Sequence, residues 1–385
     1  MRICLVYDCL FPYTVGGAER WYRNLSERLA AEGHEITFLT RRQWDRGTNV
    51  DVPGVRVVAL EPRMGLYTAG GRRRIDQALI FGAGCLAHLA VHGSAYDVVH
   101  TASFPYFSLL AAAVARPVHR FGLVIDWHEV WTREYWSEYL GSLGGRIGWI
   151  VQALCARVRQ HAFCFSRLHA RRLRKVGLRG DISILEGEYA GQLDPRPGRE
   201  PREPLVVFAG RHIPEKRVTT LVPALERARA QAPELRCIAF GDGPERQRLV
   251  RAVAAARLDR AFVVPGFVGA DEVDRALGEG LCMVLPSRRE GYGQIVVEAA
   301  ARGTPSVVVA GPDNASVELV QDGVNGIVAA SAEAEDLAGA ILHVRDGGAE
   351  LRRTTLDWFV RNAERLSITT SLEKVARRYR ESARS

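Results

Sequence analysis

The sequence lacks the cysteine patterns that mark metal sites and secreted disulfide frameworks. Its seven cysteines are scattered, form no Cys-x-x-Cys pair and do not cluster with histidine. An odd number of dispersed thiols favours a reduced, cytoplasmic protein without structural zinc.

Long apolar segments are also missing. The N-terminal stretch "MRICLVYDCLF" contains an apolar run but no small-residue cleavage site, so we interpret it as a core strand rather than a signal peptide. The longest weakly polar stretch, residues 78–93, is short and contains two histidines. We therefore do not expect it to span a bilayer.

No zinc-finger spacing, RNP-like aromatic strand or clear helix-turn-helix is present, so nucleic acid is not an expected partner. The chain is nevertheless basic, with a formal net charge of +8. Basic residues concentrate in Arg72–Arg74, in Arg167–Arg179 and in the C-terminal "KVARRYRESARS". Such clusters suit an anionic membrane surface or phosphorylated substrates, and they equally suit solvated arginine-rich faces.

Apolar runs alternate with helical patterns in both halves of the chain. Runs such as "RICLVYD", "EITFLTR" and "DVVHTAS" come before a segment dense in proline, glycine and charge, and "PLVVFAGR", "LRCIAFGDGP" and "LCMVLPS" come after it. Continuous apolar strands alternating with helices indicate doubly wound parallel sheets. We predict an α/β protein of two Rossmann-like domains that face each other across a cleft.

The predicted boundaries follow from composition. An N-terminal domain covers residues 1–186, a linker 187–204, and a C-terminal domain 205–360. Residues 361–385 are predicted to form a C-terminal helix that packs back on the N-terminal domain.

Cations and glycines follow the predicted strands of the second half. Arg211 and Lys216 come after "VVFAG", where a guanidinium and an ammonium suit a diphosphate. Gly241, in "FGDGPER", allows close ligand approach, and Gly266 with Phe267, in "VVPGFV", offers backbone groups to a nucleobase. Taken singly, each of these turns is equally well explained as an ordinary solvated loop.

Two glutamates bracket a short glycine-rich opening in "REGYGQIVVEAAARGTP". Gly291, Tyr292 and Gly293 start a predicted crossover helix whose first N–H groups and positive dipole end favour an anion. Glu290 precedes this helix and Glu298 lies within it. We expect the two carboxylates to meet sugar and ribose hydroxyls on either side of a diphosphate.

The first half offers weaker signals. Gly16 and Gly17 lie between a strand and a helix, where their backbone N–H groups can approach a phosphate. His128 ends a strand in "VIDWHEVW", beside Asp126 and Glu129, and can position a sugar hydroxyl. A structural role for His128 explains this position about as well.

Together these stretches resemble the retaining glycosyltransferases of family 4, which have the GT-B fold. The resemblance rests on the Gly16–Gly17 loop, "DWHE", "GRHIPEK", "GDGPE", "PGFV" and above all "EGYGQIVVEAAARGTP", in that order along nearly the whole chain. It implies transfer of a sugar from a UDP- or GDP-sugar to a hydroxyl of a glycan, a glycolipid precursor or another small acceptor. Retention at the anomeric carbon and no metal or other cofactor are implied as well.

The same resemblance implies roles for individual residues. Arg211 and Lys216 would hold the diphosphate, Glu290 and the Gly291–Gly293 backbone the donor sugar and phosphates, and Glu298 the ribose. His128 would lie near the reacting sugar, and Gly16, Gly17, Gly241, Gly266, Phe267 and Tyr292 would complete the donor site.

Three departures from the family pattern stand out. Arg217 follows Lys216 where glycine is frequent, and Glu186 with Gly187 replace the usual Pro-Asn-Gly before the linker. The aromatic-rich segment 126–145 matches no general signature, and we interpret it as an acceptor or interface surface.

Other functions remain open on the sequence. A nucleotide-sugar epimerase of the same fold, or a non-catalytic basic protein that binds nucleotide or nucleic acid, would share several of these features. Residues 144–161, with Trp149, can form a basic amphipathic helix, which would give a peripheral contact with an anionic membrane on its cytoplasmic face. Core packing explains the same helix equally well.

Overall fold

The computed structural model describes residues 1–45, 47–60, 63, 65–66, 73–194 and 204–382. Arg72, most of the predicted linker (195–203) and the last three residues lie outside this range. The chain forms two compact units, one made of Met1–Glu186 with Thr369–Ser385 (unit 1) and one made of Gly187–Ile368 (unit 2).

Unit 1 contains a seven-stranded, wholly parallel sheet with the strand order β3-β2-β1-β4-β5-β6-β7. Its elements are β1 (Arg2–Val6), α1 (Gly17–Ala31), β2 (Glu35–Thr40), β3 (Val55–Ala59), α2 (Ile75–His92), β4 (Val98–Ala102), α3 (Phe107–His119), β5 (Gly122–Trp127), α4 (Arg133–Arg157), β6 (Gln160–Cys164), α5 (Arg167–Val176) and β7 (Gly180–Ile184). The reversal of strand order between β1 and β4 makes the sheet doubly wound.

Unit 2 contains a six-stranded parallel sheet in the order β10-β9-β8-β11-β12-β13. Its elements are β8 (Leu205–Ala209), α6 (Leu221–Arg229), β9 (Arg236–Phe240), α7 (Arg246–Ala255), β10 (Phe262–Gly266), α8 (Ala270–Glu279), β11 (Cys282–Leu285), α9 (Gln294–Ala300), β12 (Ser306–Val309), β13 (Gly326–Ala329) and α10 (Ala334–Leu366). The prediction of two Rossmann-like sheets with alternating helices is confirmed.

The sheet of unit 1 has an apolar face and a more polar face. Side chains from α2, α3, α4 and α5 share one buried cluster with Cys4, Val99 and Ile125 of the sheet. The other face carries His100, Asp126 and His161, and it receives α1 and the last helix, α11 (Ile368–Ser382).

The C-terminal helix begins at Ile368 rather than at residue 361. Helix α10 continues to Leu366, and Ser367 leaves the helical region with φ −68° and ψ 136°. From Thr369 onward the chain belongs to unit 1.

One helix within the described residues, Ile75–Ala95, is long and apolar enough to cross a membrane by length and composition. Our argument that this stretch is too short is therefore wrong, because α2 and the 3-10 turn after it together span 21 residues. Phe81, Cys85 and Leu89 on its inner face are fully buried in the core of unit 1.

Gly187 lies where the start of unit 2 passes the junction between α10 and α11. A Cβ atom at Gly187 would lie 2.2 Å from the carbonyl oxygen of Ser367, and Tyr189 pairs with Ser367 in a parallel bridge. This close backbone approach explains glycine at a position where the sequence departs from the family pattern.

We expect Gly187→Ala to lower the free energy of unfolding of unit 2 by about 1–3 kcal/mol, because the added methyl group collides with backbone rather than with a flexible side chain. Gly339→Ala is the matched control, since a Cβ there has no neighbour within 4 Å. Within α10 that change should instead stabilise by about 0.5–1 kcal/mol. Calorimetry of thermal unfolding distinguishes a destabilising from a stabilising substitution. Equal effects of the two variants would contradict the close backbone contact at Gly187.

Candidate active site

Two loops in unit 2 bring Lys216 and Glu290 together at the carboxyl ends of the neighbouring strands β8 and β11. Lys216 ends a short 3-10 turn, Pro214–Lys216, and its Nζ donates a hydrogen bond to Oε1 of Glu290. Their side chains are only 18% and 9% exposed. Such a pair is held in a nearly dry environment, so each charge depends on the other.

Backbone contacts fix the Glu290 loop. The N–H of Glu290 donates to the carbonyl of Asp313, and the N–H of Ala315 donates to the carbonyl of Glu290. Asn314 donates through its side-chain amide to the carbonyls of Ser287 and Val309, at 3.2 and 2.8 Å. The carboxylate of Glu290 is therefore presented from a braced loop.

Arg217 adopts a left-handed backbone conformation, with φ 49°. Glycine reaches this region without steric cost, which is the physical reason why glycine suits this position. Arg211, which directly follows the turn after β8, is exposed.

The glycine turn after β9 packs against the loop after β8. Gly241 has φ 121°, and a Cβ atom there would lie 1.9 Å from the carbonyl oxygen of Gly210. The N–H of His212 donates to the carbonyl of Asp242 at 2.8 Å. Gly241 thus lets two loops at the carboxyl edge meet.

The remaining predicted donor residues of unit 2 differ in exposure. Phe267 is 65% exposed just beyond Gly266, whereas Tyr292 is 7% exposed and packs inside the unit. Gly291 and Gly293 flank Tyr292, and Gly293, with φ 104°, caps α9. Glu298 is half-buried in α9. Helix α9 has only seven residues, so its dipole is small.

In unit 1, Gly16 and Gly17 form the start of α1. Gly16 precedes the helix in an extended conformation without a side-chain cap. Nearby in sequence, Asp8 follows β1, is fully buried, and accepts a 2.6 Å hydrogen bond from Arg73. Sequence reasoning missed this pair.

His128 lies directly after β5, as predicted, and its ring stacks on Phe165 with centroids 4.3 Å apart. Burial lowers the pKa of His128, and the neighbouring carboxylates of Asp126 and Glu129 oppose this shift without cancelling it. The imidazole is therefore neutral near pH 7 and can both donate and accept a hydrogen bond.

Asp126 does not form an exposed polar cluster with His128. Its carboxylate is fully buried, accepts a 2.8 Å hydrogen bond from Nε1 of Trp21, and lies 2.8 Å from Nε2 of His100. Nδ1 of His100 in turn contacts the hydroxyl of Tyr379 on α11. This buried polar network joins α1, β4, β5 and α11.

The aromatic segment that we interpreted as a surface is largely core. Trp127, Tyr135 and Trp136 are buried. The side-chain oxygen of Gln152 accepts hydrogen bonds from the hydroxyl of Tyr106, the indole of Trp136 and the backbone N–H of Trp131. One buried glutamine therefore organises these aromatic residues.

The predicted site residues thus fall into two groups. Gly16, Gly17 and His128 belong to unit 1, and the others belong to unit 2. Among the described residues, no three His, Cys, Asp or Glu side chains are arranged to hold a metal ion.

Two family profiles match the chain one after the other. The profile described as "Glycosyltransferase Family 4" matches residues 15–186, and that described as "Glycosyl transferases group 1" matches residues 192–355. The chain belongs to the family-4 type of glycosyltransferases.

Curated relatives agree with this class. Glycogen synthase from Mycobacterium tuberculosis is 27% identical over 92% of this chain and 88% of its own length. An α-D-kanosaminyltransferase from Streptomyces kanamyceticus is 27% identical over 46% of each chain.

Solved structures share the fold. Sucrose-phosphate synthase from Thermosynechococcus elongatus superposes with a TM-score of 0.82 at 20% identity, covering 99% of this chain and 98% of that one. HepE from Anabaena, solved with UDP-glucose, gives a TM-score of 0.75 at 18% identity, covering 99% and 100%.

We expect Asp126→Asn to flatten the acid dependence of unit 1 stability. Burial alone would raise the pKa of Asp126, but His100, His128 and the Trp21 hydrogen bond together hold it below its usual value. Below about pH 5 the unfolded chain begins to take up a proton at this residue, whose unfolded pKa is about 3.9, while native Asp126 stays charged. The stabilisation that Asp126 gives therefore decreases as the pH falls. Urea unfolding at neutral pH and near pH 4 measures the difference.

Tryptophan fluorescence suits this measurement, because only Trp358 of the seven tryptophans lies in unit 2. Asp51→Asn, at an exposed position of unit 1, is the control. An Asp126→Asn variant with the full wild-type pH dependence would show that Asp126 is not the group responsible.

Proposed function

We propose that this protein transfers a sugar, with retention at the anomeric carbon, from a nucleoside-diphosphate sugar to an acceptor hydroxyl. The observation that carries the proposal is the buried Lys216–Glu290 pair at the carboxyl edge of unit 2. A cation and an anion in one nearly dry site suit a donor that has both a diphosphate and sugar hydroxyls.

The diphosphate supplies an alternative partner for the ammonium of Lys216. When it binds, Lys216 and the exposed guanidinium of Arg211 can share its charge, and Glu290 becomes available to accept hydrogen bonds from donor-sugar hydroxyls. Glu298 would accept hydrogen bonds from the ribose. Neutralising the departing diphosphate lowers the barrier to breaking the sugar–phosphate bond.

Without a protein nucleophile, retention requires the acceptor to attack the face from which the diphosphate leaves. In the proposed step, the acceptor oxygen forms a bond to the anomeric carbon as the bond to phosphate oxygen breaks. The acceptor proton passes to the departing phosphate oxygen. No protein nucleophile, metal or other cofactor enters this balance, and neutral His128 would act by hydrogen bonding to a sugar hydroxyl.

The names of the relatives support a sugar donor and point to different products. A glycogen synthase and an α-D-kanosaminyltransferase are among them, and HepE was solved with UDP-glucose. We therefore propose a UDP- or GDP-sugar as donor and a glycan, glycolipid precursor or other small hydroxyl compound as acceptor.

We expect Lys216→Ala and Glu290→Gln each to lower donor turnover by about 10²–10³-fold, the usual effect of removing one pre-organised charged contact. The measurement is slow hydrolysis across a panel of UDP-, GDP- and dTDP-sugars, followed by nucleotide release. Arg353→Gln and Glu350→Gln, an exposed pair in unit 2, are charge-matched controls that should keep full activity.

Product analysis without acceptor tests the alternatives. An epimerised nucleotide sugar would replace our proposal with an epimerase. If no nucleotide sugar binds, both the transferase and the epimerase are excluded, and a non-catalytic basic protein becomes the favoured hypothesis.

The outer surface of unit 1 supports a peripheral membrane contact on the cytoplasmic side. On α4, Leu143, Ile147, Ile150 and Leu154 are each more than half exposed and recur every three or four residues, so they form one stripe. Arg146 and Arg157 are exposed on the same helix, and the guanidinium of Arg133 lies 4.8 Å from the centre of the Trp149 ring.

Helices α2 and α3 also expose apolar side chains. Leu79, Ile80 and Val91 on α2 and Val114 and Val118 on α3 are exposed, while the inner sides of both helices join the same core cluster as α4. Between residues 77 and 94 the sequence contains no Asp, Glu, Lys or Arg. Apolar side chains with flanking arginines fit a bilayer that contains anionic lipid.

We expect the double variant Leu143→Asp/Ile150→Asp to bind at least about tenfold more weakly to vesicles of mixed phosphatidylcholine and phosphatidylglycerol, because two apolar anchors are lost and two negative charges are added. Co-sedimentation measures the bound fraction. Val360→Asp, an exposed apolar position in unit 2, is the control. Unchanged binding of the double variant, or no binding by the wild type, would contradict the proposed surface.

A further inference from the structure

Unit 1 contains a polar pocket of about 440 Å³ that the transferase proposal does not use. It lies between α11 and strands β6 and β7, of which β7 is at the edge of the sheet. Its lining includes His161, Ser183, Lys374, Arg377, Arg378 and Glu381. None of these residues belongs to the predicted donor site.

His161 has an unusual environment in this pocket. Its side chain is only 6% exposed, yet neither ring nitrogen has a hydrogen-bond partner among the described residues. Nε of Arg378, which also lines the pocket, is similarly buried without a partner. Unsatisfied buried polar atoms are costly, so both groups indicate a polar occupant.

The pocket has an excess of positive charge. Arg378 is shared between two carboxylates, Glu381 at 3.1 Å and Asp181 at 3.6 Å. Lys374 donates only to the carbonyl of Ile184, at 3.4 Å, and neither Lys374 nor Arg377 has a carboxylate partner in the described part of the chain. Two cations therefore remain available to an anion.

We propose that this pocket binds a phosphate-bearing ligand that bridges α11 to the β6–β7 edge of the sheet. Lys374 and Arg377 would supply charge, Arg378 an N–H donor, and Ser183 a hydroxyl, which together match the several acceptor oxygens of a phosphate group. The volume leaves room for a small organic group attached to the phosphate. The inference does not depend on the transferase activity.

Inorganic phosphate is the first probe, titrated by calorimetry against the full-length protein at constant ionic strength. The double variant Lys374→Gln/Arg377→Gln should bind at least about tenfold more weakly, because two charge-assisted contacts are removed. Arg380→Gln, on an exposed position of α11 outside the pocket lining, is the charge-matched control and should bind as the wild type does.

His161 offers a direct readout of occupancy. Burial lowers its pKa to about 4, helped by Arg378. Its other charged and titratable neighbours are Lys374, Arg377, Asp181, Glu381 and His100. A bound phosphate adds negative charge beside the ring, so NMR titration should show the pKa of His161 rising when phosphate is present and not rising in the double variant.

Three results would overturn the inference. The first is that phosphate does not bind. The second is that Arg380→Gln loses binding as much as the double variant does. The third is that binding disappears in Lys216→Ala but survives in Lys374→Gln/Arg377→Gln, which would assign the phosphate to the donor site.

Vesicles containing phosphatidic acid distinguish the source of the phosphate. A shift in the pKa of His161 with both vesicles and free phosphate indicates a lipid headgroup, and a shift with free phosphate alone indicates a soluble ligand.

Discussion

The ion pair between Lys216 and Glu290 is the constraint on which the candidate donor site depends. Two charges with little access to water are tolerable only while each has a partner. Three surrounding features hold the loops that carry Lys216 and Glu290. They are the left-handed turn at Arg217, the close approach at Gly241 and the side-chain amide of Asn314. A diphosphate that competes for Lys216 would therefore enter a site whose geometry already exists.

The sequence predicts most strands because a strand buried on both faces of a parallel sheet is a continuous apolar run. It fails at β6, β7 and β13, whose residues read "QHAFC", "GDISI" and "GIVA". The first two contain polar side chains that face α11, and the third is a short edge strand that begins with glycine and has two half-buried positions. The predicted amphipathic helix 144–161 also runs into the polar start of β6, because α4 ends at Arg157.

Some residues of the candidate site can be predicted from their neighbours in the sequence, and others depend on contacts between distant parts of the chain. Lys216, Glu290 and the glycine turns could be predicted because each lies in the segment that follows an apolar strand in the sequence. His100, Tyr379 and Gln152 could not, since their roles come from contacts across the chain: 279 residues separate His100 from Tyr379. Aromatic residues around Gln152 were interpreted as a surface because composition does not show which side of a helix faces the core.

Because α11 belongs to unit 1, this unit cannot finish folding until the end of the chain has been synthesised. The sheet of unit 1 is complete at Ile184, but the helix that covers one of its faces begins only at Ile368. At ordinary ribosomal speeds the interval is on the order of ten seconds or more. During that time His100, Asp126 and His161 lack the cover of α11. A face that carries two histidines and a carboxylate tolerates water in the meantime, whereas an equally large apolar face would expose the nascent chain to aggregation.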